Sequence, residues 1–268
     1  MPPLRINLTP DRIAFARSLV LYEDAHLIAF DKPAGLAVQG GSGVAQSLEH
    51  LLAAFAKSNG KTPRLVHRLD RETSGVIVAA RTKPDAAFFS EAFAGRDVEK
   101  TYLAVTCGAP KPAEGVIDAA LLKVSRHLDR RRPRRRETPN AGVRSTAGGD
   151  AGGPRNVDIM EVAANGQAAR TRYRTLSAAN SAALVELHPE TGRMHQLRAH
   201  LAHIGAPIAG DGKYGGLYRL GGVEVSGLLL HALKLDLPHP EAGRITLEAP
   251  PPEAFLAAAR SLDLETEA

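Results

Sequence analysis

Residues Leu65–Val76 read LVHRLDRETSGV. Apolar Leu65, Val66 and Val76 bracket a segment in which His67, Arg68, Asp70, Arg71 and Glu72 fall within six positions. A stretch this polar that leads into Thr-Ser-Gly reads as a loop, and the run GVIVAA at Gly75–Ala80 reads as a buried strand entered from it. In the next segment, TKPDAAFFSEAFAG, Pro84 lies near a helix start and Gly95 just past its end. Val98–Cys107 then returns to strand. Two strands flanking a helix predict a mixed α+β sheet and argue against a helical bundle.

The flanks extend the same alternation. Upstream, VLYEDAHLIAFDKPAGLAV reads as a hairpin leading to a loop at Lys32-Pro33-Ala34-Gly35. Ser47–Ala56 places Leu48, Leu51, Leu52 and Phe55 on one helical face, with Ser47 as N-cap. Downstream, ARTRYRTL and AALVELHP form a strand pair turning around Ser177–Ser181. In ETGRMHQLRAHLAHIGAP, Met194, Leu197, Leu201 and Ile204 make an apolar stripe, and Gly205 with Pro207 ends the helix. Arg198 lies about 80° from the centre of that stripe, at the border of the core, where it is placed to meet a half-buried carboxylate. LLLHALKLDLPHP is a further strand. The first seventeen residues carry little pattern, and the closing ETEA is expected to fray.

With 268 residues and 44% apolar content, the chain can bury a full core as one large domain or two lobes. It has no apolar run of membrane-spanning length, and MPPLRINLTPDR lacks the apolar centre of a secretory signal, so a soluble, cytoplasmic, monomeric protein with no membrane partner is expected. Its one cysteine, Cys107, reads as a small buried residue in a strand, ahead of a catalytic thiol. A net charge of +5 suits a polyanionic partner without demanding one. Arg126–Arg136, RHLDRRRPRRR, holds seven arginines, and the stretch to Asn156 is rich in Gly, Pro, Thr and Ala. A mobile insertion is expected there, with a solvated surface and RNA contact equally open as its role.

Several candidate sites compete. His195, His200 and His203 do not converge on one point of the helix, so no metal is expected. GGSG at Gly40–Gly43 lacks the Lys-Ser/Thr of a phosphate loop, and GDGKYGG at Gly210–Gly216 reads as a tight turn from which Lys213 could reach a backbone phosphate. Asp70 and Glu72 could form a glycosidase pair, but residues two apart face alike only on a strand. On composition alone, the favoured reading of Asp70 is a surface ion pair with Arg68 or Arg71.

Three stretches change those odds. HRLDRETSGV at His67–Val76, DKPAGLAVQGG at Asp31–Gly41 and ETGRMHQLRAHLAHIGAPIAGDGKYGG at Glu190–Gly216 together resemble the ribosomal-type pseudouridine synthases, which modify uridines of large-subunit ribosomal RNA and some transfer RNA. VEKTYLAV and LLLHAL are shorter matches, and the likeness runs from about Leu19 to Pro250.

The resemblance implies a mixed, largely antiparallel sheet in two halves, with flanking helices and a central cleft. It implies a catalytic domain over 19–250, with an N-terminal extension over 1–18 and a C-terminal segment over 251–268; the arginine-rich insertion at about 125–156 departs from the family, being longer than this region usually is. It makes Asp70 the catalytic aspartate, Tyr102 the base-stacking tyrosine, Arg198 the basic partner of the aspartate and Leu230 an apolar residue of the pocket. Arg68 resembles the arginine that fills the space left by the flipped base, and Arg71 is directed toward phosphate.

The implied reaction moves the bond at ribose C1′ from uracil N1 to C5. It has no net redox change or hydrolysis, so no cofactor is expected. RNA is the expected partner, ribosomal ahead of transfer RNA. The rivals are an RNA-binding protein that has lost catalysis and a glycosidase that releases the base. Many relatives carry a small RNA-binding domain before the catalytic one. Only about eighteen residues precede the match here, so target capture is expected from elsewhere in the chain.

Overall fold

The computed structural model describes residues 8–41, 46–128 and 155–266. Its elements in chain order are α1 (Pro10–Ser18), β1 (Val20–Glu23), β2 (Leu27–Lys32), α2 (Leu48–Leu51) continuing as a 3₁₀ turn (Leu52–Phe55), β3 (Arg64–Leu65), β4 (Ser74–Ala80), α3 (Lys83–Gly95) and β5 (Glu99–Cys107). They continue with β6 (Glu114–Asp118), β7 (Leu121–Leu128), β8 (Arg155–Val162), β9 (Arg170–Ala178), β10 (Ala182–Pro189), α4 (Gln196–His203), β11 (Arg219–Leu220), β12 (Val223–Glu224), β13 (Leu230–His239), β14 (Gly243–Glu248) and α5 (Glu253–Ser261).

The sheet is mixed and largely antiparallel, in the order β1-β2-β4-β13-β5-β10-β9-β6, with β3 added to β4 and β14 to β13. Its two halves meet where β4 and β13 run parallel over the short register His231↔Ser74 and Ala232↔Gly75. Each half has its own core. On one side Phe30, Leu51, Ile77 and Phe89 pack under α2 and α3. On the other, Val185, Leu187 and Leu201 pack under α4, and Phe255, Ala259 and Leu262 of the α5 region fill a further cluster. Tyr102 packs against the cores of both halves, so it stands at the line between them.

Most sequence expectations hold at the level of elements. The β1–β2 hairpin forms, Ser47 caps α2 by accepting the His50 amide, and β9 and β10 pair as read. The ends differ. Gly95 is the last residue of α3, not the first beyond it, because Arg96 takes the left-handed cap at φ 68°. Helix α4 begins at Gln196, so Met194 lies before it. The N-terminal segment does contain a helix, α1, which the sequence hid because Ala16 is its one buried residue and Ile13 and Phe15 stay exposed. At the other end Glu265, expected to fray, donates its amide to Ser177 Oγ at 3.0 Å. Cys107 is half-buried in β5, with its sulfur accepting the Leu217 amide. Of the arginine-rich insertion, 129–154 lies outside the described residues, whereas 124–128 and 155–156 belong to the antiparallel ribbon β7–β8 and not to a loop.

The junction of the halves depends on small and polar residues. Ser74 Oγ bonds His231 Nδ1 at 2.9 Å, and the opposite ring nitrogen of His231 donates to the Ala249 carbonyl at 2.9 Å. Gly75 sits at φ +110°, and a Cβ there would lie 2.1 Å from the Ala232 carbonyl oxygen. Gly75→Ala therefore combines a steric clash with an unfavourable backbone, and is expected to cost about 3 kcal/mol or more in urea unfolding. Gly41→Ala, whose Cβ would meet open space, is expected to stay within about 0.5 kcal/mol.

Candidate active site

The HRLD loop is pinned before it reaches Asp70. His67 accepts the Val78 amide at Nε2 (3.0 Å), and its ring stacks on Phe93 at 4.2 Å with 18° between planes. Burial pushes this imidazole down to about 3, so it is neutral and keeps its acceptor nitrogen. Leu69 is buried, and the Thr73 amide closes a turn on the Asp70 carbonyl at 3.1 Å. Arg71 Nε donates to the Gly35 carbonyl at 2.9 Å, and the Arg71 carbonyl accepts the Gly35 amide at 2.8 Å. Lys32, fully buried, donates to the carbonyls of Pro33, Leu36 and Arg71 at 2.9–3.1 Å. The KPAG and HRLD loops are thereby sewn into one unit, at the cost of a desolvated ammonium pushed down to about 8.

The other wall comes from the chain entering α4. Gln196 is buried with its amide fully used: its oxygen accepts from Thr191 (2.7 Å) and the Arg193 amide (3.0 Å), and its nitrogen donates to Arg170 and Thr171. Two residues on, Arg198 is not a border residue but a buried one, 5% exposed. Its first partner is Asp211 of the GDGKYGG turn, which takes Nε at 2.7 Å and Nη2 at 2.8 Å. That fork leaves Nη1 to face Asp70 Oδ2 at 3.4 Å. Asp211 also accepts the amides of Lys213 and Tyr214, so one carboxylate shapes the turn and aims the arginine.

Asp70 thus looks across the cleft, not toward the arginines beside it in sequence. Its ionic neighbours among the described residues are Arg198 and His195, the latter at 3.8 Å. The surface pair with Arg68 or Arg71 expected on composition does not form. Nor is there a glycosidase pair, since Glu72 is exposed and lies against Arg71 at 3.7 Å. The helix histidines go to separate tasks. His200 bonds Thr171 and the Ala119 carbonyl, His203 is exposed, and among the described residues no group of three His, Cys, Asp or Glu side chains is arranged to hold a metal.

The structure brings Arg68, Asp70, Tyr102, Arg198 and Leu230 to the wall of one cavity of about 580 Å³. Tyr102 and Leu230 stand on adjacent strands, β5 and β13, and burial followed by the Asp70 charge holds the Tyr102 hydroxyl firmly protonated. Lys100, two residues before Tyr102, also lines the cavity. Burial and then Arg96 push its ammonium below the usual lysine range, and neither Lys100 nor Arg68 has a side-chain partner among the described residues. Sequence reasoning missed Asp211 and Tyr214 inside a turn, Gln196, and Lys100. The available sign for Asp211 was an acid placed directly after the apolar stretch Ile208-Ala209-Gly210.

A half-buried carboxylate facing a preset arginine, flanked by an aromatic ring and by cations without partners among the described residues, makes the cleft between the two half-sheets a site suited to an anionic substrate. Residues 26–203 match the RNA pseudouridylate synthase family. The chain is 36% identical over 238 residues to the mitochondrial pseudouridylate synthase RPUSD4 of Xenopus tropicalis, covering 87% of this chain and 71% of the relative. It is 37% identical over 218 residues to the ribosomal large subunit pseudouridine synthase C of Rickettsia bellii, covering 80% of this chain and 63% of the relative. The solved human RNA pseudouridylate synthase domain containing 4 superposes with a TM-score of 0.74 at 31% identity, over 96% of this chain and 99% of that one. The chain belongs to the RNA pseudouridylate synthase family and is an RNA pseudouridine synthase.

The site histidines give a pH dependence of stability. In the fold His67 is lowered to about 3 and His195 to about 4, both chiefly by burial. The unfolded chain therefore binds more protons below pH 6.5, so stability falls as pH drops from 6.5 toward 4. Between pH 6.5 and 5 each histidine is expected to remove up to about 2 kcal/mol. Urea midpoints across that range check this, and His67→Gln, which keeps an acceptor for Val78 but does not titrate, should flatten the slope.

Proposed function

We propose that this protein converts particular uridines of large-subunit ribosomal RNA to pseudouridine, with Asp70 as the catalytic group. The observation that carries the reading is the placement of Asp70 in the cavity wall, with one oxygen facing Arg198, while Tyr102 and Leu230 line the same space. A uridine inside a folded RNA is stacked, so it must leave the stack to reach such a cavity. Tyr102 offers a ring face for the displaced base, and Leu230 an apolar wall that excludes water.

The chemistry asks for one carboxylate. The bond from C1′ to N1 breaks, the uracil turns, and a bond from C1′ to C5 forms; the C5 proton departs and N1 gains one. Asp70 serves this either as a nucleophile toward sugar or base, or by taking a ribose proton. Arg198 keeps its charge, since its pairing with Asp211 and Asp70 outweighs burial and holds it above the usual arginine range. Lys100 and Arg68, with no side-chain partner among the described residues, are suited to phosphates on either side of the flipped nucleotide. The ribosomal large-subunit name of the Rickettsia relative supports ribosomal RNA as the target; the mitochondrial relative's name specifies no substrate.

Asp70→Asn keeps the shape and removes the charge. It is expected to cut pseudouridine formation by about a thousandfold or more while RNA affinity stays near wild type. Normal yield from the purified variant would refute the assignment. Mapping pseudouridines in cells with and without the protein tests the target: sites lost only from transfer RNA would replace the ribosomal reading.

A further inference from the structure

Two donors, not one, converge on the same oxygen of Asp70. Arg198 Nη1 lies 3.4 Å from Oδ2, and His195 Nε2 lies 3.8 Å from that same atom. His195 is also strained: it occupies the left-handed region at φ 50°, ψ 21°, directly before α4. A residue with a Cβ in that region costs on the order of 1 kcal/mol and persists only where its surroundings hold it.

What holds it is Tyr214. The hydroxyl of Tyr214 lies 2.9 Å from His195 Nδ1 and accepts the Met160 amide at 2.8 Å. With its lone pair taken by Met160, the hydroxyl is free to donate its proton to Nδ1. The proton of the neutral imidazole then sits on Nε2, aimed at Asp70. The opposite tautomer would turn a lone pair toward the carboxylate and leave the tyrosine proton without an acceptor among the described residues. The charged groups around the ring agree with a neutral state: Arg198 and Lys213 oppose a further positive charge, Asp70 and Asp211 favour it, and burial outweighs them. The Tyr214 ring also lies under the Arg198 guanidinium at 5.1 Å and meets the His195 ring edge-on at 5.6 Å, so one tyrosine touches both donors.

We propose that His195, set by the Tyr214 hydroxyl, is a second positioning residue for Asp70, and that the two donors occupy Oδ2 so that Oδ1 is the oxygen that works on the nucleotide. This rests on the reading of Asp70 as the catalytic group. The 3.8 Å separation is long for a hydrogen bond, but the N–H dipole acts on the carboxylate at that range, and catalytic contacts often tighten only when substrate is in place. The arrangement also gives the GDGKYGG turn a double duty, since Asp211 aims Arg198 and Tyr214 aims His195 from three residues apart.

The test measures single-turnover pseudouridine formation, RNA affinity and melting temperature for Tyr214→Phe, His195→Leu and His195→Gln. Tyr214→Phe keeps the ring and loses only the hydroxyl; it is expected to slow the chemical step about tenfold while RNA affinity stays within about twofold. His195→Leu should be slower still, about a hundredfold, and His195→Gln, which can present an amide N–H, should recover part of the loss. A purely structural role predicts instead a lower melting temperature with unchanged rate at saturating RNA and no recovery specific to His195→Gln, and that result overturns the proposal. Asp70→Asn separates the two levels. If it is inactive while His195→Leu and Tyr214→Phe behave as wild type, the positioning role alone is wrong. If Asp70→Asn remains active, the catalytic assignment and this inference fall together.

Discussion

The buried fork between Arg198 and Asp211 is the contact on which the site depends. A guanidinium and a carboxylate taken out of water gain little net stability from one another, because each loses its hydration. What they gain is direction. With Nε and Nη2 both committed to Asp211, the guanidinium plane cannot rotate, and Nη1 is the part left to face the cleft. A lysine would offer one mobile point charge in the same place, and could not be fixed by its partner in this way.

Around that fork the fold assembles two rigid walls from distant parts of the chain. One wall is the HRLD loop, tied by His67 to β4 and by the buried Lys32 to the KPAG loop. The other is the entry to α4, where Gln196 uses every polar atom of its amide and the GDGKYGG turn comes up from behind. The parallel contact of β4 with β13 sets the distance between them. Close packing there is exacting: Gly75 fits against the Ala232 carbonyl, and Gly216 against that of Ile208, with no space for a methyl group at either.

The same architecture divides binding from chemistry. Inside the cavity Arg198 is spent on carboxylates, whereas Lys100 and Arg68 are without partners among the described residues. The first faces Asp70; the other two are available to a polyanion. Basic residues near one another in sequence therefore differ in surroundings: Arg68 lines the cavity while Arg71 Nε donates to the Gly35 carbonyl.

The sequence by itself determined most of the element types and pointed to Asp70, Tyr102, Arg198 and Leu230, which the fold brings to one cavity. Apolar periodicity marked β4, α3 and α4, the Ser47 cap was visible as a serine before an apolar stripe, and the match at HRLDRETSGV singled out Asp70. These are local properties, written in residues a few positions apart. It could not give the partner of Arg198, because a helical wheel shows which side a residue faces and not what waits there. Asp211 and Tyr214 were hidden in a turn whose glycines explained it well enough, and α1 was hidden because most of its apolar residues do not enter a core. His195 was weighed only as a metal ligand, since its alignment with Asp70 arises from a left-handed backbone and a contact across 125 positions of chain. Tertiary structure alone decided those pairings, because the energy of a charge depends on what surrounds it in space, and a linear string does not contain its surroundings.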